Sequence, residues 1–152
     1  MTRRHHWLLD AASGVLADGR RFWVLCVVDD ATREALATVV GCSFYGPCIA
    51  RELDRAVAER GVAPTMITSD HGLEFKSMPV LRWAAEHGVT WHHLARGKPS
   101  QKGAVEGLVG KLRGECLDKH VFGSLAEVER AVEAWRERYD TMCRHAASPA
   151  RG

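Results

Sequence analysis

The sequence predicts an α/β domain: a mixed five-stranded sheet, three antiparallel strands followed by parallel additions, flanked by helices. Three observations predict it. The first forty residues hold three short β-forming segments, joined by turns too short for a crossover, so they pair antiparallel. The apolar period then changes, and helix and strand signals alternate. The chain closes on two helical stretches with long apolar stripes, which a single sheet can bury on its faces.

Trp7 to Ala12 reads as the first strand and carries Asp10. Ala17-Asp18-Gly19-Arg20 is a hairpin signal, because Asp-Gly suits a turn that needs positive φ. Phe22 to Val28, FWVLCVV, is continuously apolar and reads as a buried central strand, and Glu34 to Val40 as the third. Ile49, Leu53, Ala56 and Val57 recur at helical spacing, with Gly61 as a stop. Met66 to Ser69 is strand four. Ser77 caps a helix with Pro79 in its first turn, Leu81, Ala84 and Ala85 as its apolar stripe and Gly88 at its end. Val89 to His93 is strand five, and residues 95–103, ARGKPSQKG, form a loop. A helix over about 104–119 buries Val105, Leu108, Val109, Leu112 and Cys116. The last helix starts at Ser124 with Glu127 three residues on, a capping box, and buries Leu125, Val128, Val132, Trp135 and Tyr139. A right-handed strand-helix-strand crossover sets strand four beside strand one, making neighbours of Asp10 and Asp70.

At 152 residues, with 46% hydrophobic and 26% charged residues, the chain reads as one globular domain, 1–152, with its core at about 6–145. No apolar run reaches membrane-span length, and the run after the basic N-terminus is too short for a signal peptide, so a cytoplasmic protein with no membrane partner is expected. Five cysteines without a CxxC pair suit a reducing compartment. A net charge of +2 says little, but between Arg96 and Lys119 six basic residues face three acidic ones.

Two carboxylates held close repel each other and raise a pKa unless a cation lies between them. A third would complete a hard oxygen site for Mg²⁺ or Mn²⁺. Glu106 is the candidate: on a helical wheel it borders the apolar stripe, with Lys102 and Arg113 on nearly the same side. Acid for metal beside base for phosphate is what a phosphodiester enzyme needs. Singly, such acids are more often solvated surface charges; the spacing, 35 residues between Asp70 and Glu106, raises the odds.

With its flanking words, that spacing resembles the integrase catalytic core of bacterial insertion-sequence transposases of the OrfB type, related to retroviral integrases. WLLD at 7–10 resembles the family's first-aspartate strand, VVDDATRE at 27–34 its VVDDxTRE hairpin, and ITSDHGLEF at 67–75 its SDNGxEF. HLARGKPSQKGAVEGLVGKLRGECLDK at 93–119 resembles the segment holding the catalytic glutamate, and SLAEVERAVEAWRERYD at 124–140 the last helix. The resemblance implies an RNase H-like fold, a DDE triad of Asp10, Asp70 and Glu106, and two Mg²⁺ or Mn²⁺ ions held by that triad. It implies DNA cleavage and strand transfer in transposition, with transposon ends and target DNA as partners. A homo-oligomer on DNA and a separate or missing N-terminal DNA-binding region are also expected. His71 stands where the family usually has Asn, Lys102 replaces another Asn, and Asp140 a third. The rival readings are a catalytically silent DNA-binding or assembly domain and a stand-alone RNase H-like nuclease.

Lys98, Lys102, Lys111 and Arg113 are the DNA-contact candidates; His71 and Glu74 are expected to order the loop around the ligands. Asp29 and Asp30 end a strand before Thr32, so a turn or capping role is favoured. Alternation lets at most one of His92 and His93 face the site. Trp83 and Trp91 read as core before base-stacking residues. Cys116 and His120 have i, i+4 spacing but make only two of the four ligands structural zinc needs.

Overall fold

A computed structural model describes residues 5–32, 34–41, 46–69, 78–93 and 103–147, with the side chains of 93, 103–106 and 142–147 outside that description. The chain runs β1 (His6–Val15), β2 (Arg21–Asp29), β3 (Ala35–Gly41), α1 (Gly46–Arg60), β4 (Met66–Ser69), α2 (Met78–Glu86), β5 (Thr90–His93), α3 (Gly103–Glu115), a 3₁₀ turn (Leu117–Lys119) and α4 (Leu125–Ala147). The five strands form one sheet in the order β3-β2-β1-β4-β5. β1 pairs antiparallel with β2 and parallel with β4, as expected for a meander followed by a crossover.

Alternation along β1 sorts the core into two layers. Leu8 and Ala12 join Val24, Cys26 and Val28 on one face, under Leu108 and Leu112 of α3 and Val128, Val132 and Trp135 of α4. Trp7 and Leu9 join Leu25, Val27 and Ile67 on the other, under Ile49 and Leu53 of α1 and Val80 and Trp83 of α2. Each fully buried Leu or Val contributes about 1.5–3 kcal/mol against exposure, so both layers stabilise the sheet between its helices.

Turn chemistry sets the ends. Gly19 has φ +91°, Gly19 N–H donates to Leu16 O (2.9 Å), and Leu16 N–H donates to Arg20 O (2.7 Å), closing the β1–β2 hairpin. Gly88 (φ +66°) ends α2, with Val89 N–H reaching back to Ala84 O at 2.8 Å. At α4, Glu127 N–H donates to Ser124 Oγ (3.3 Å), while Glu127 Oε1 accepts from Gly123 N–H (3.0 Å), one residue before the expected reciprocal partner.

Two expectations need correction. The stripe α2 buries is Val80, Trp83 and Ala84; Leu81 and Ala85 face solvent, because burying the indole rotates the helix by one position. The helix expected to 119 ends at Glu115 and tightens into the 3₁₀ turn, after Gly110 and Gly114 have weakened its last turns. The expected Ser77 cap lies outside the described residues.

Candidate active site

The β1–β4 ladder pairs Trp7 with Ile67, Leu8 with Thr68 and Leu9 with Ser69. Leu9 is followed by Asp10, and Ser69 is followed in the sequence by Asp70. Asp70 itself, with His71, Glu74, Lys98 and Lys102, lies outside the described residues. Asp10 is half-buried, and its Oδ1 accepts the Ala11 N–H at 2.8 Å. Directly across the ladder to β2 is Cys26, fully buried. Burial pushes the Cys26 thiol well up, and the negative charge of Asp10 pushes it further. The carboxylate therefore sits on the face it shares with Leu8, Ala12 and Cys26, which α3 covers.

Leu108, Val109, Leu112 and Cys116 dock α3 on that face, as their spacing predicts. Glu106 lies on this helix two residues before Leu108, and its side chain is outside the description. Lys111 and Arg113 are exposed further along; Lys111 Nζ stands 6.0 Å from the Tyr139 ring centroid, so this cation is partly committed to α4.

Across the sheet, Leu8, Thr68 and His92 form one row, so His92 is the histidine on the Asp10 face and is exposed. His6 Nε2 bonds Thr68 Oγ1 at 2.6 Å on the same face, a link the sequence offered no signal for. The aspartates that end β2 take the structural roles expected of them. Asp29 is buried, and its Oδ1 accepts from Ala31 N–H (2.8 Å) and Thr32 N–H (3.2 Å), while Oδ2 lies 3.5 Å from Arg60. Asp30 lies 3.6 Å from His6. Trp83 is core, donating to Asp54 Oδ1 at 2.6 Å; Trp91 packs in the same layer and donates to Ser69 Oγ at 2.9 Å. Cys116 is buried, with its thiol pushed up mainly by burial, and His120 is exposed with its ring against Phe122. Among the described residues no group of three or more His, Cys, Asp or Glu side chains is placed to hold a metal ion. Among the described residues no helix is long and apolar enough to cross a membrane.

A five-stranded mixed sheet in this order with these flanking helices is the RNase H-like fold. The sequence matches the integrase core domain family over residues 2–99 and again over residues 87–149, and the chain belongs to that family. It is 40% identical over 141 residues to the uncharacterized 31.7 kDa protein of insertion element IS407 from Burkholderia multivorans (strain ATCC 17616 / 249), covering 93% of this chain and 50% of that one. It is 36% identical over 141 residues to the uncharacterized 39.2 kDa protein of insertion element IS476 from Xanthomonas euvesicatoria, covering 93% and 40%. The chain thus spans half or less of these relatives. Among solved structures, the HTLV-2 integrase catalytic core domain in complex with magnesium superposes with TM-score 0.64 at 17% identity, over 86% of this chain and 81% of that one. A chain of the simian T-cell lymphotropic virus intasome in complex with PP2A regulatory subunit B56 gamma gives 0.62 at 18%, over 75% of this chain and 42% of that one.

Proposed function

We propose that this domain is the catalytic core of an insertion-element transposase, cutting DNA at element ends and joining the freed 3′-hydroxyl to target DNA. The observation that carries the reading is the ladder register: Leu9 pairs with Ser69, one residue short of Asp10 and Asp70 in each chain segment. One further step in that register would set the two acids side by side, and α3, the helix that carries Glu106 in sequence, covers the Asp10 face.

The donor set suits a hard divalent cation, since all three are carboxylates and Asp10 is already partly desolvated. Asp10, Asp70 and Glu106 would hold Mg²⁺ or Mn²⁺. When bound, such ions supply positive charge against the negative charge that builds on the attacking and leaving oxygens of an in-line displacement. The protein's own part is positional. In this reading the β1–β4 pair would set the separation of two carboxylates, and the docking of α3 would set the approach of the third. Arg113, with Lys98, Lys102 and part of Lys111, would neutralise phosphates along the approach. Work on a bacterial element's DNA places the protein in the cytoplasm, as an oligomer that holds two ends together.

The test is Mn²⁺-dependent strand transfer on a branched DNA in which a free 3′-hydroxyl already sits beside the scissile phosphate, so that proximity is built into the substrate. Glu106→Gln should abolish the reaction and leave DNA binding nearly unchanged. A folded wild type inactive in either metal would favour the silent DNA-binding domain; cleavage of RNA–DNA hybrid in preference to branched DNA would favour the nuclease.

A further inference from the structure

β4 has four residues, Met66–Ser69, and lies between β1 and β5, parallel to both. A short strand in that place packs best with apolar side chains, as Ile67 does. The next two residues break the pattern: Thr68 and Ser69 are 3% and 1% exposed, and both carry hydroxyls. A buried hydroxyl costs free energy unless it is hydrogen-bonded, and each of these has a bond from a flanking strand. His6 of β1 pairs with Met66 and reaches two residues along, where its Nε2 bonds Thr68 Oγ1 at 2.6 Å. Trp91 of β5 pairs with Ile67 and also reaches two residues along, where its Nε1–H donates to Ser69 Oγ at 2.9 Å.

The two bonds are one diagonal drawn from opposite sides of β4. Thr68 is in register with Leu8, so the His6 bond lies on the face that α3 covers. Ser69 alternates to the other face, so the Trp91 bond lies in the layer under α1 and α2. Both rings lean toward the C-terminal end of the strand, and the next residue in the sequence is Asp70. Apolar burial is non-directional and sets only how deep a strand lies. Hydrogen bonds have a preferred distance and angle, so one on each face also fixes the position and twist of the strand's end.

We propose that Trp91 is a positioning residue for Asp70, with His6 its counterpart on the opposite face. Acting through Ser69 and Thr68, they hold the end of β4 so that Asp70 shares a divalent cation with Asp10. The inference rests on the reading of those two aspartates as metal ligands.

The test measures Mn²⁺ binding to the whole chain by electron paramagnetic resonance of the free ion, beside thermal melts in EDTA. Trp91→Phe keeps a ring in place and removes the donor. It should weaken Mn²⁺ binding about tenfold, the low end of what losing a group behind a metal ligand costs. Ser69→Ala should do the same, and the double variant no worse than either, because all three lose one bond. Thr68→Val should also weaken binding; full affinity there overturns the part given to His6. Trp83→Phe removes a comparable indole bond, to Asp54, from the same core layer. It should lower the melt and leave Mn²⁺ affinity unchanged, which separates positioning from plain stability. If Trp91→Phe does not fold, Ser69→Ala decides in its place. Wild-type affinity in Trp91→Phe and Ser69→Ala, or an equal loss in Trp83→Phe, overturns the proposal while Asp70→Asn still abolishes binding. Binding that is absent from wild type or survives Asp70→Asn overturns the ligand reading, and this inference with it.

Discussion

Asp10 and Cys26 stand opposite each other on adjacent antiparallel strands, a carboxylate and a fully buried thiol sharing one face of the sheet. The thiol is raised from 9.0 by burial first and by Asp10 second, and Cys116 is raised in the same direction. Above pH 9.0 the unfolded chain releases protons that the native chain keeps, so these groups stabilise fully below that pH and lose their contribution as pH climbs past it. Urea unfolding between pH about 8 and about 10 should show a steeper fall in wild type than in Cys26→Ala/Cys116→Ala. Parallel slopes would mean that neither thiol is shielded. Asp10→Asn should make Cys26 easier to ionise.

Metal should stabilise the fold by relieving carboxylate repulsion. Mn²⁺ at about a hundred times its Kd adds about 2.7 kcal/mol if it binds only the native state. Asp70→Asn should remove most of that gain in a thermal melt. An identical metal-induced shift in both proteins would sink the triad.

Arg113 is exposed on the helix that carries Glu106. Arg113→Ala should lower the slope of log affinity against log salt by about 0.9 on duplex DNA, with no change in sequence preference. Lys111→Ala should also cost some stability, since Lys111 lies over the Tyr139 ring. An unchanged slope in Arg113→Ala would remove that residue from the DNA path.

Arg136 is the cross-brace between α4 and the start of β3. Its removal leaves two carbonyls without their donor, so Arg136→Ala should cost roughly 1–3 kcal/mol in denaturant unfolding. Arg136→Lys should recover only part, because a single ammonium lacks the planar fork. Wild-type stability in Arg136→Ala would show that water replaces the brace.

Gly14 pairs with Phe22 across the β1–β2 ladder, and a Cβ at Gly14 would stand 2.5 Å from the Phe22 ring. That ring is buried and meets Phe122 edge-on at 6.2 Å, so it has little room to turn away. Gly14→Ala should cost about 1–3 kcal/mol, the usual range for overpacking. Gly14→Ala combined with Phe22→Leu should recover part of it; no recovery would place the strain in the backbone.

The sheet was legible because its signals are local. FWVLCVV can only be a strand buried on both faces, and the change of period at Ile49 marks where the meander gives way to crossovers. The stripe of α3 was legible for the same reason. The stripe of α2 was not: Leu81 and Trp83 compete for one buried position, and the winner depends on Asp54, twenty-nine residues before Trp83, accepting the indole N–H. Asp70 stood out at the end of its strand, and both it and Asp10 through their motif words, yet Cys26 and His6 did not. Their roles come from register across the ladder, and register is a property of paired strands that neither strand carries alone.

The β1–β4 pair also has a kinetic meaning. Leu9 meets Ser69 across 59 intervening residues, whereas β1, β2 and β3 close through short loops. Loop closure over that span carries an entropic penalty that local hairpins avoid, and β4, with only four residues, has few bonds with which to offset it. On a ribosome the meander is complete before β4 has been made. The parallel pair therefore forms late, and its C-terminal end, where Asp10 begins, is not assembled in partly folded chains. A partly folded chain therefore carries Asp10 on β1 without its parallel neighbour beside it.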